Sequence, residues 1–288
     1  MPSIETLAKD IQDLVENDDH VVSDEAKEKL GRELADLIVK NLFTGRKDQE
    51  NRGALRMSSL GTPCVRQLWY KEKFPNEGEK LPYNARIKYL FGHILEELLL
   101  FLAEEAGHTV EKRQQRLELE GVVGHRDAVI DGVQTDVKSA STRGFDKFKY
   151  HKLETEDPFG YLVQNNAYLQ ADKELTDKRV AFLAIDKQFG NICVDVYESK
   201  EYPDLRERIG YVRRGLDSEQ PPVRAFMPEP DGKAGNLKLG VQCSYCERKA
   251  SCYPGLRTFL YSSGPRYLTH VVREPDVPEA KKEDLIEE

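Results

Sequence analysis

At 288 residues the chain can bury a sizeable core. One third of it is charged, and it has no uninterrupted apolar run of the ~18 residues a membrane span requires. The acidic start, "MPSIETLAKDIQDLVENDD", lacks the basic opening and apolar stretch of a secretory signal, so a cytoplasmic protein is expected. The net charge of −8 is concentrated at the two ends: residues 1–50 carry 13 acids against 7 Lys/Arg, and residues 274–288 carry 7 against 2. The 51–273 body is left at +3, a balance that permits nucleic-acid binding.

Along the chain, Ile4, Leu7, Ile11 and Leu14 keep helical spacing. Leu30, Leu34 and Leu37 do so after a Ser23 cap with Asp24 and Glu25 in the first turn, giving an N-terminal helical pair. The polar "TGRKDQENRG" reads as a connection. Residues 83–106 form a long, largely buried helix, and strands follow at 115–123, 125–130 and 133–139. "DPFGYLVQNNAYLQAD" is a second helix with Pro158 in its first turn. "RVAFLAID" and "NICVDVYE" pair across a turn at 187–190, and a helix covers 201–216. A Pro-rich stretch, a cysteine-rich segment and an acidic tail, "REPDVPEAKKEDLIEE", close the chain; the tail has too little apolar surface to order itself. This succession predicts an α/β fold in which helices flank a mixed central sheet.

The stretch "GHRDAVIDGVQTDVKSAS" (124–141) is the most informative. Asp131-Gly132 suits a two-residue hairpin turn that needs positive φ at both positions. Ile130 then pairs with Val133 and Val129 with Gln134, and Asp127 falls opposite Asp136 on the face shared by Lys138. Opposed carboxylates repel unless a positive charge lies between them. The two readings are a solvated hairpin face and a divalent-cation site beside a lysine.

Other residues add candidates. Cys243, Cys246 and Cys252 form a C-x2-C-x5-C run, with Cys64 far upstream as a fourth thiol; four thiolates suit zinc or an iron–sulfur cluster equally. Cys193 lies in an apolar strand pattern and reads as an ordinary buried residue. His93 precedes Glu96 and Glu97 by three and four positions on the long helix, so they can share a face; a packed histidine is the plainer alternative. Gln164 and Tyr168 are likewise four apart. In "STRGFDKFKYHK", Arg143, Lys147, Lys149 and Lys152 alternate with Phe145, Phe148 and Tyr150. That pattern suits either a single nucleic-acid strand or a charged amphipathic edge strand.

Taken in order, Cys64, Gly92-His93 with Glu96, "GHRD" ending in Asp127, "DVK", Gln164-x3-Tyr168 and C-x2-C-x5-C resemble the RecB-like branch of the PD-(D/E)XK nucleases. The likeness is to the iron–sulfur-bearing group found in CRISPR-associated adaptation nucleases, the AddB subunit and phage exonucleases, and it spans about residues 57–256. Arg126 stands where the family's first motif has proline. The resemblance implies a restriction-endonuclease-like core closed by the cysteines (51–256), with an N-terminal helical extension (1–50) and a C-terminal segment (257–288) outside it. It further implies Mg²⁺ or Mn²⁺ held by Asp127, Asp136, the Val137 carbonyl, His93 and Glu96, with the choice between Glu96 and Glu97 open. Lys138 would orient the attacking water, and Gln164 and Tyr168 would position the strand. A structural [4Fe–4S] cluster would sit on Cys64, Cys243, Cys246 and Cys252. Arg143, Lys147, Phe148, Lys149 and Tyr150 are the candidate DNA contacts.

The activity so implied is a DNA exonuclease acting on single strands or ends, in phage-type replication or recombination. Phage recombination or replication proteins, or further copies of the chain, are the protein partners, and no membrane is. Trimming of CRISPR prespacers, or a catalytically silent DNA-binding subunit, are the alternatives.

Overall fold

The computed structural model describes residues 2–43, 55–75, 77, 83–199 and 204–280. The polar connection at 44–53, the first residues of the 201–216 helix and the tail beyond 280 lie outside the described residues. The described residues fall into two compact units. The first is Met1–Glu50, Leu55–Thr62 and Asn84–Tyr211; the second includes Pro63–Tyr83 and Val212–Glu288.

The first unit is built on a five-stranded mixed sheet in the order β1-β4-β5-β6-β7. Its strands are β1 (Val110–Glu111), β4 (Ala128–Ile130), β5 (Val133–Ala140), β6 (Arg179–Asp186) and β7 (Ile192–Glu198). Only β5 and β6 run parallel; the other pairs are antiparallel. The β4–β5 hairpin has the register the Asp131-Gly132 turn demands, Ile130 opposite Val133 and Val129 opposite Gln134, with φ of 50° and 80° at the two turn residues.

Helices cover both faces of this sheet. On one side α1 (Leu7–Val15) and α5 (Tyr83–Glu105) bury Ile4, Leu7, Ile11, Leu99, Leu100 and Ala103 against Ile130, Val137 and Leu183. The N-terminal helix is therefore part of the core and not an extension of it: its i, i+4 apolar stripe supplies one wall. After it, α2 (Asp24–Leu42) begins at Ser23, whose hydroxyl accepts the Ala26 N–H at 3.1 Å as the sequence predicts. On the other face α6 (Thr142–Lys149) and α7 (Tyr161–Ala171) pack Phe145, Phe148, Leu162 and Leu169 against Phe182 and Val180.

Three local readings change. Residues 115–130 hold two short strands before β4, β2 (Arg116–Leu119) and β3 (Val122–His125), turned back on each other at Glu120-Gly121. The segment 142–149 is a helix and not an edge strand, because Ser141 caps it and Phe145 and Phe148 are spaced for a helical face. Pro158 precedes α7, whose N-terminus is instead held by Asp157, its carboxylate accepting the Tyr161 and Leu162 N–H groups at 2.9 Å each.

Gly160, at φ 72°, lies so near Gly61 of the loop after α3 (Met57–Leu60) that a Cβ on either would meet backbone of the other at 2.2 Å. α3, α7, the β2–β3 hairpin and the start of α8 (Leu205–Asp217) share a third cluster around Met57, Leu117, Val122, Tyr168 and Ile209.

In the second unit α4 (Val65–Lys73) buries Val65, Leu68 and Trp69, and the Trp69 indole donates to the Ser218 carbonyl at 2.8 Å. A four-stranded antiparallel sheet follows in the order β10-β11-β9-β8. It joins β8 (Glu229–Pro230), β9 (Leu237–Lys238), β10 (Arg257–Tyr261) and β11 (Gly264–His270). Short helices α9 (Val241–Ser244) and α10 (Lys249–Cys252) lie between β9 and β10.

Residues 273–280, the described part of the acidic tail, are ordered, contrary to their composition. Arg257 pairs with Glu274 at 2.8 Å and with Glu279 at 2.6 Å, and the Ala280 N–H donates to Thr258. A guanidinium facing two carboxylates, together with a β-bridge, offsets the ordering entropy that composition alone does not reveal. Among the described residues no helix is long and apolar enough to cross a membrane.

Candidate active site

β5 carries two of the three central groups. Asp136 and Lys138 alternate onto the face covered by α6 and α7, while Val137 turns into the core opposite. Asp127 stands just before β4, which begins at Ala128 across from Thr135, so the backbone ladder stops one residue short of an Asp127–Asp136 pair. Its carboxylate accepts the Val137 N–H at 2.7 Å, and this bond holds it at the end of the hairpin.

The Lys138 ammonium closes on Asp136 Oδ2 at 2.5 Å, and Gln164 Nε2 donates to Asp136 Oδ1 at 3.3 Å. The same amide reaches the Tyr168 hydroxyl at 3.4 Å, so one helical turn of α7 delivers both side chains to β5. Tyr168 is pressed against Gly124 so closely that a Cβ there would lie 2.7 Å from the ring, which explains the glycine of "GHRD".

The electrostatics of the cluster are unbalanced. Burial pushes the Asp127 carboxyl well above the ordinary carboxylate range, and the charges of Asp136 and Glu96 push it further. Asp136 is raised as well, by burial first, with Lys138 opposing. Burial by itself would lower Lys138, but Asp136 and Asp127 outweigh it and hold the ammonium firmly protonated. Burial and the same two carboxylates raise the Tyr168 hydroxyl.

α5 separates the two glutamates. Glu96 acts on both aspartates and accepts from Gln114 Nε2 at 2.6 Å, while Glu97 is committed to Arg113 at 2.5 Å. Glu96 is thus the one on the site side. His93 lies 3.8 Å from Glu96 through Nδ1 and has a half-exposed side chain.

Five residues, Arg126, Asp172, Lys112, Tyr161 and Asp157, contribute without a local signal in the sequence. Arg126, fully buried, pairs with Asp172 at 2.7 Å and so anchors the residue before Asp127; Lys112 reaches the same carboxylate at 2.9 Å. Partners 46 and 60 positions away cannot be paired from spacing. Tyr161 places its ring 4.8 Å from the Lys138 ammonium, and Asp157 adds to the negative field at Asp136.

Of the candidate strand contacts, Phe148 is withdrawn into the core, 4% exposed and packed on Phe182, so it offers no free face to a base. Tyr150 is exposed, with Lys149 and Lys152 both over its ring. Lys147 donates to the Glu156 carbonyl at 2.9 Å, and Arg143 is exposed at the start of α6.

In the second unit Cys64 sits at the N-terminus of α4, Cys243 in α9 and Cys252 in α10. The Cys246 N–H donates to the Cys243 carbonyl, and the Cys246 sulfur accepts the Arg248 N–H at 3.4 Å. Burial pushes the Cys243 and Cys246 thiols up to about 11, and in both the nearby Cys64 and Cys252 thiols add to the shift. The four sulfurs therefore share one neighbourhood. Cys193 stands apart on β7, raised to about 12 chiefly by burial.

Among the described residues, no three His, Cys, Asp or Glu side chains form a preassembled cage for a metal ion. The donor chemistry of both sets is nonetheless apt. Hard carboxylate oxygens crowded at one point suit Mg²⁺ or Mn²⁺, and clustered thiols suit zinc or iron–sulfur ligation.

No family model matches the chain, and neither does any curated protein. Among solved structures, a phage-related exonuclease from Haemophilus somnus 129PT overlaps 56% of this chain and 88% of its own, at 17% identity and a TM-score of 0.37. The protein SSO0001 overlaps 78% of this chain and 95% of its own, at 14% identity and a TM-score of 0.40.

Proposed function

We propose that this chain is a divalent-metal-dependent DNA nuclease, an exonuclease acting on single strands or ends in phage-type replication or recombination. The observation that carries the reading is the convergence of Asp127, Asp136 and Lys138 with Gln164 and Tyr168 from α7. Two mutually repelling buried carboxylates beside a committed ammonium suit a cation and a phosphodiester better than a solvated hairpin face.

Asp127, Asp136 and the Val137 carbonyl would hold the ion, with Glu96 and His93 completing its surroundings. Bound there, Mg²⁺ or Mn²⁺ supplies the positive charge that offsets the phosphate's and lowers the cost of ionising water. Lys138, permanently charged, donates a hydrogen bond to the attacking water and stabilises its deprotonated form; it is no general base. Gln164 fixes Asp136, and Tyr168 remains a neutral donor toward the strand. The water oxygen bonds to phosphorus as its proton passes to bulk solvent, the P–O3′ bond breaks, the 3′-oxygen takes up a proton from solvent, and the products are a 5′-phosphate and a 3′-hydroxyl.

End-labelled single-stranded oligonucleotides, with circular single strands as control, provide the test. Shortening of linear strands only with Mg²⁺ or Mn²⁺, with 5′-phosphate products, is the expected outcome. Cutting of circles would convert the reading to an endonuclease. Strand binding without cleavage would replace it with a DNA-binding subunit.

The cysteines are proposed to carry a structural [4Fe–4S] cluster. Anaerobically purified protein should then contain iron and sulfide at four of each per chain, coloured, and should lose both together with much of its stability in Cys246→Ser. Colourless protein with one zinc per chain would give the thiols to zinc instead.

A further inference from the structure

Beside Lys138, between α6 and the loop 156–161, the first unit has a cavity of about 190 Å³. Its walls include Ser139, Ser141, Gly144, Lys147, Phe159 and Tyr161. The walls are braced. Lys147 is bonded to the Glu156 carbonyl, Asp157 holds the first turn of α7, and Tyr161 is fixed between Phe148 at 6.1 Å and the Lys138 ammonium. Phe159, 5.6 Å from Tyr161, is half exposed at the rim of the cavity, leaving ring surface open to a partner.

We infer that this cavity seats one unpaired nucleobase, that of the nucleotide next to the phosphate presented to Asp136 and Lys138, with Phe159 as its stacking platform. The inference rests on the nuclease reading of the adjoining carboxylates and deepens it. The volume is below that of a drug-sized pocket and suits a single ring system. One side has aromatic faces, which stack on any base. The other has the Ser141 hydroxyl, which accepts the Gly144 N–H at 3.3 Å and is able to donate to a base edge, and the cationic ends of Lys138 and Lys147 border the cavity. A base inserted between a helix and a loop cannot keep a Watson–Crick partner. The cavity therefore selects single strands or frayed ends over intact duplex.

The experiment measures binding by fluorescence anisotropy, in Ca²⁺, of labelled single strands in which one abasic site is moved along the sequence. Phe159→Ala should weaken binding of the intact strand about tenfold. It should cost nothing more on the one strand whose abasic site falls in the cavity, and Phe159→Trp should recover the loss. Gly144→Leu, which fills the cavity from α6 without touching the carboxylates, should weaken intact strands and spare that same abasic strand. Equal losses on every abasic strand, or no loss with either variant, would overturn the inference. Wild-type protein that binds with this pattern but never cuts would sink the nuclease reading alone. Wild-type protein that cuts while Phe159 and Gly144 are silent would sink only the base pocket.

Discussion

If the chain cleaves strands as proposed, Lys138→Ala should lower the single-turnover rate of metal-dependent cleavage by roughly a thousandfold, the scale of removing a positioned donor or acid–base group from a developing charge. The geometry sets this expectation. The ammonium lies 2.5 Å from Asp136 Oδ2 and is held protonated by Asp136 and Asp127 against the effect of its own burial. A lysine so fixed supplies charge and hydrogen bonds, so Lys138→Arg should keep part of the activity and Lys138→Gln almost none.

The same substitution leaves Asp136, 1% exposed, without its cation. Breaking a buried pair from one side costs roughly 3–5 kcal/mol of stability. The double variant Lys138→Ala with Asp136→Asn should recover that stability while remaining inactive. Thermal unfolding read alongside cleavage of an end-labelled strand separates the two effects. A double variant that regained cleavage would show that Lys138 merely neutralises Asp136, and a fully active Lys138→Ala would remove it from the chemistry.

What could be read from the sequence was what depends on near neighbours. The Asp131-Gly132 turn, the register it imposes and the Ser23 cap are fixed by residues within four positions of one another, and the structure has all three. The i, i+4 spacing of Gln164 and Tyr168 likewise places both on one side of α7, where Gln164 bonds Asp136 and Tyr168 bonds Gln164.

Features set by distant partners were illegible. The alternating aromatics and cations of 143–150 suit a strand as well as a helix, and it is the sheet beneath α6 that makes Phe148 core while Tyr150, at its C-terminal cap, stays on the surface. Arg126 in "GHRD" looks like a surface cation until Asp172 arrives from the end of α7. The tail's acids looked solvated because Arg257, their counter-charge, lies on another strand. α1 was read as an appendage because its stripe is generic; only the β5–β6 face shows that Leu7 and Ile11 complete a core.

Stability in the absence of metal should fall as pH rises out of the carboxylate range, the reverse of the usual dependence on acidic groups. The folded state raises Asp127 well above its ordinary value, mainly by burial and then through Asp136 and Glu96. Between the unfolded value and the raised folded one, the native protein binds more protons than the unfolded chain, so its stability declines with pH. The contribution is whole below about pH 4, where both states are protonated, and is lost as pH climbs through the folded value. Asp136 shifts in the same direction and adds to the slope. Lys138, also raised, keeps its contribution until alkaline pH and does not mask the decline. Mg²⁺ or Mn²⁺ supplies the charge that the proton otherwise provides, so unfolding in a chelator should be steeper in pH than unfolding with metal. Asp127→Asn removes the titrating charge. It should flatten the slope in chelator, raise the neutral-pH unfolding temperature above that of wild type, and abolish cleavage together with the stabilisation by metal. If wild type and Asp127→Asn melt with the same pH profile in chelator, the carboxylates do not repel and the cation reading of the hairpin fails; a site built to attract a cation must be strained without one.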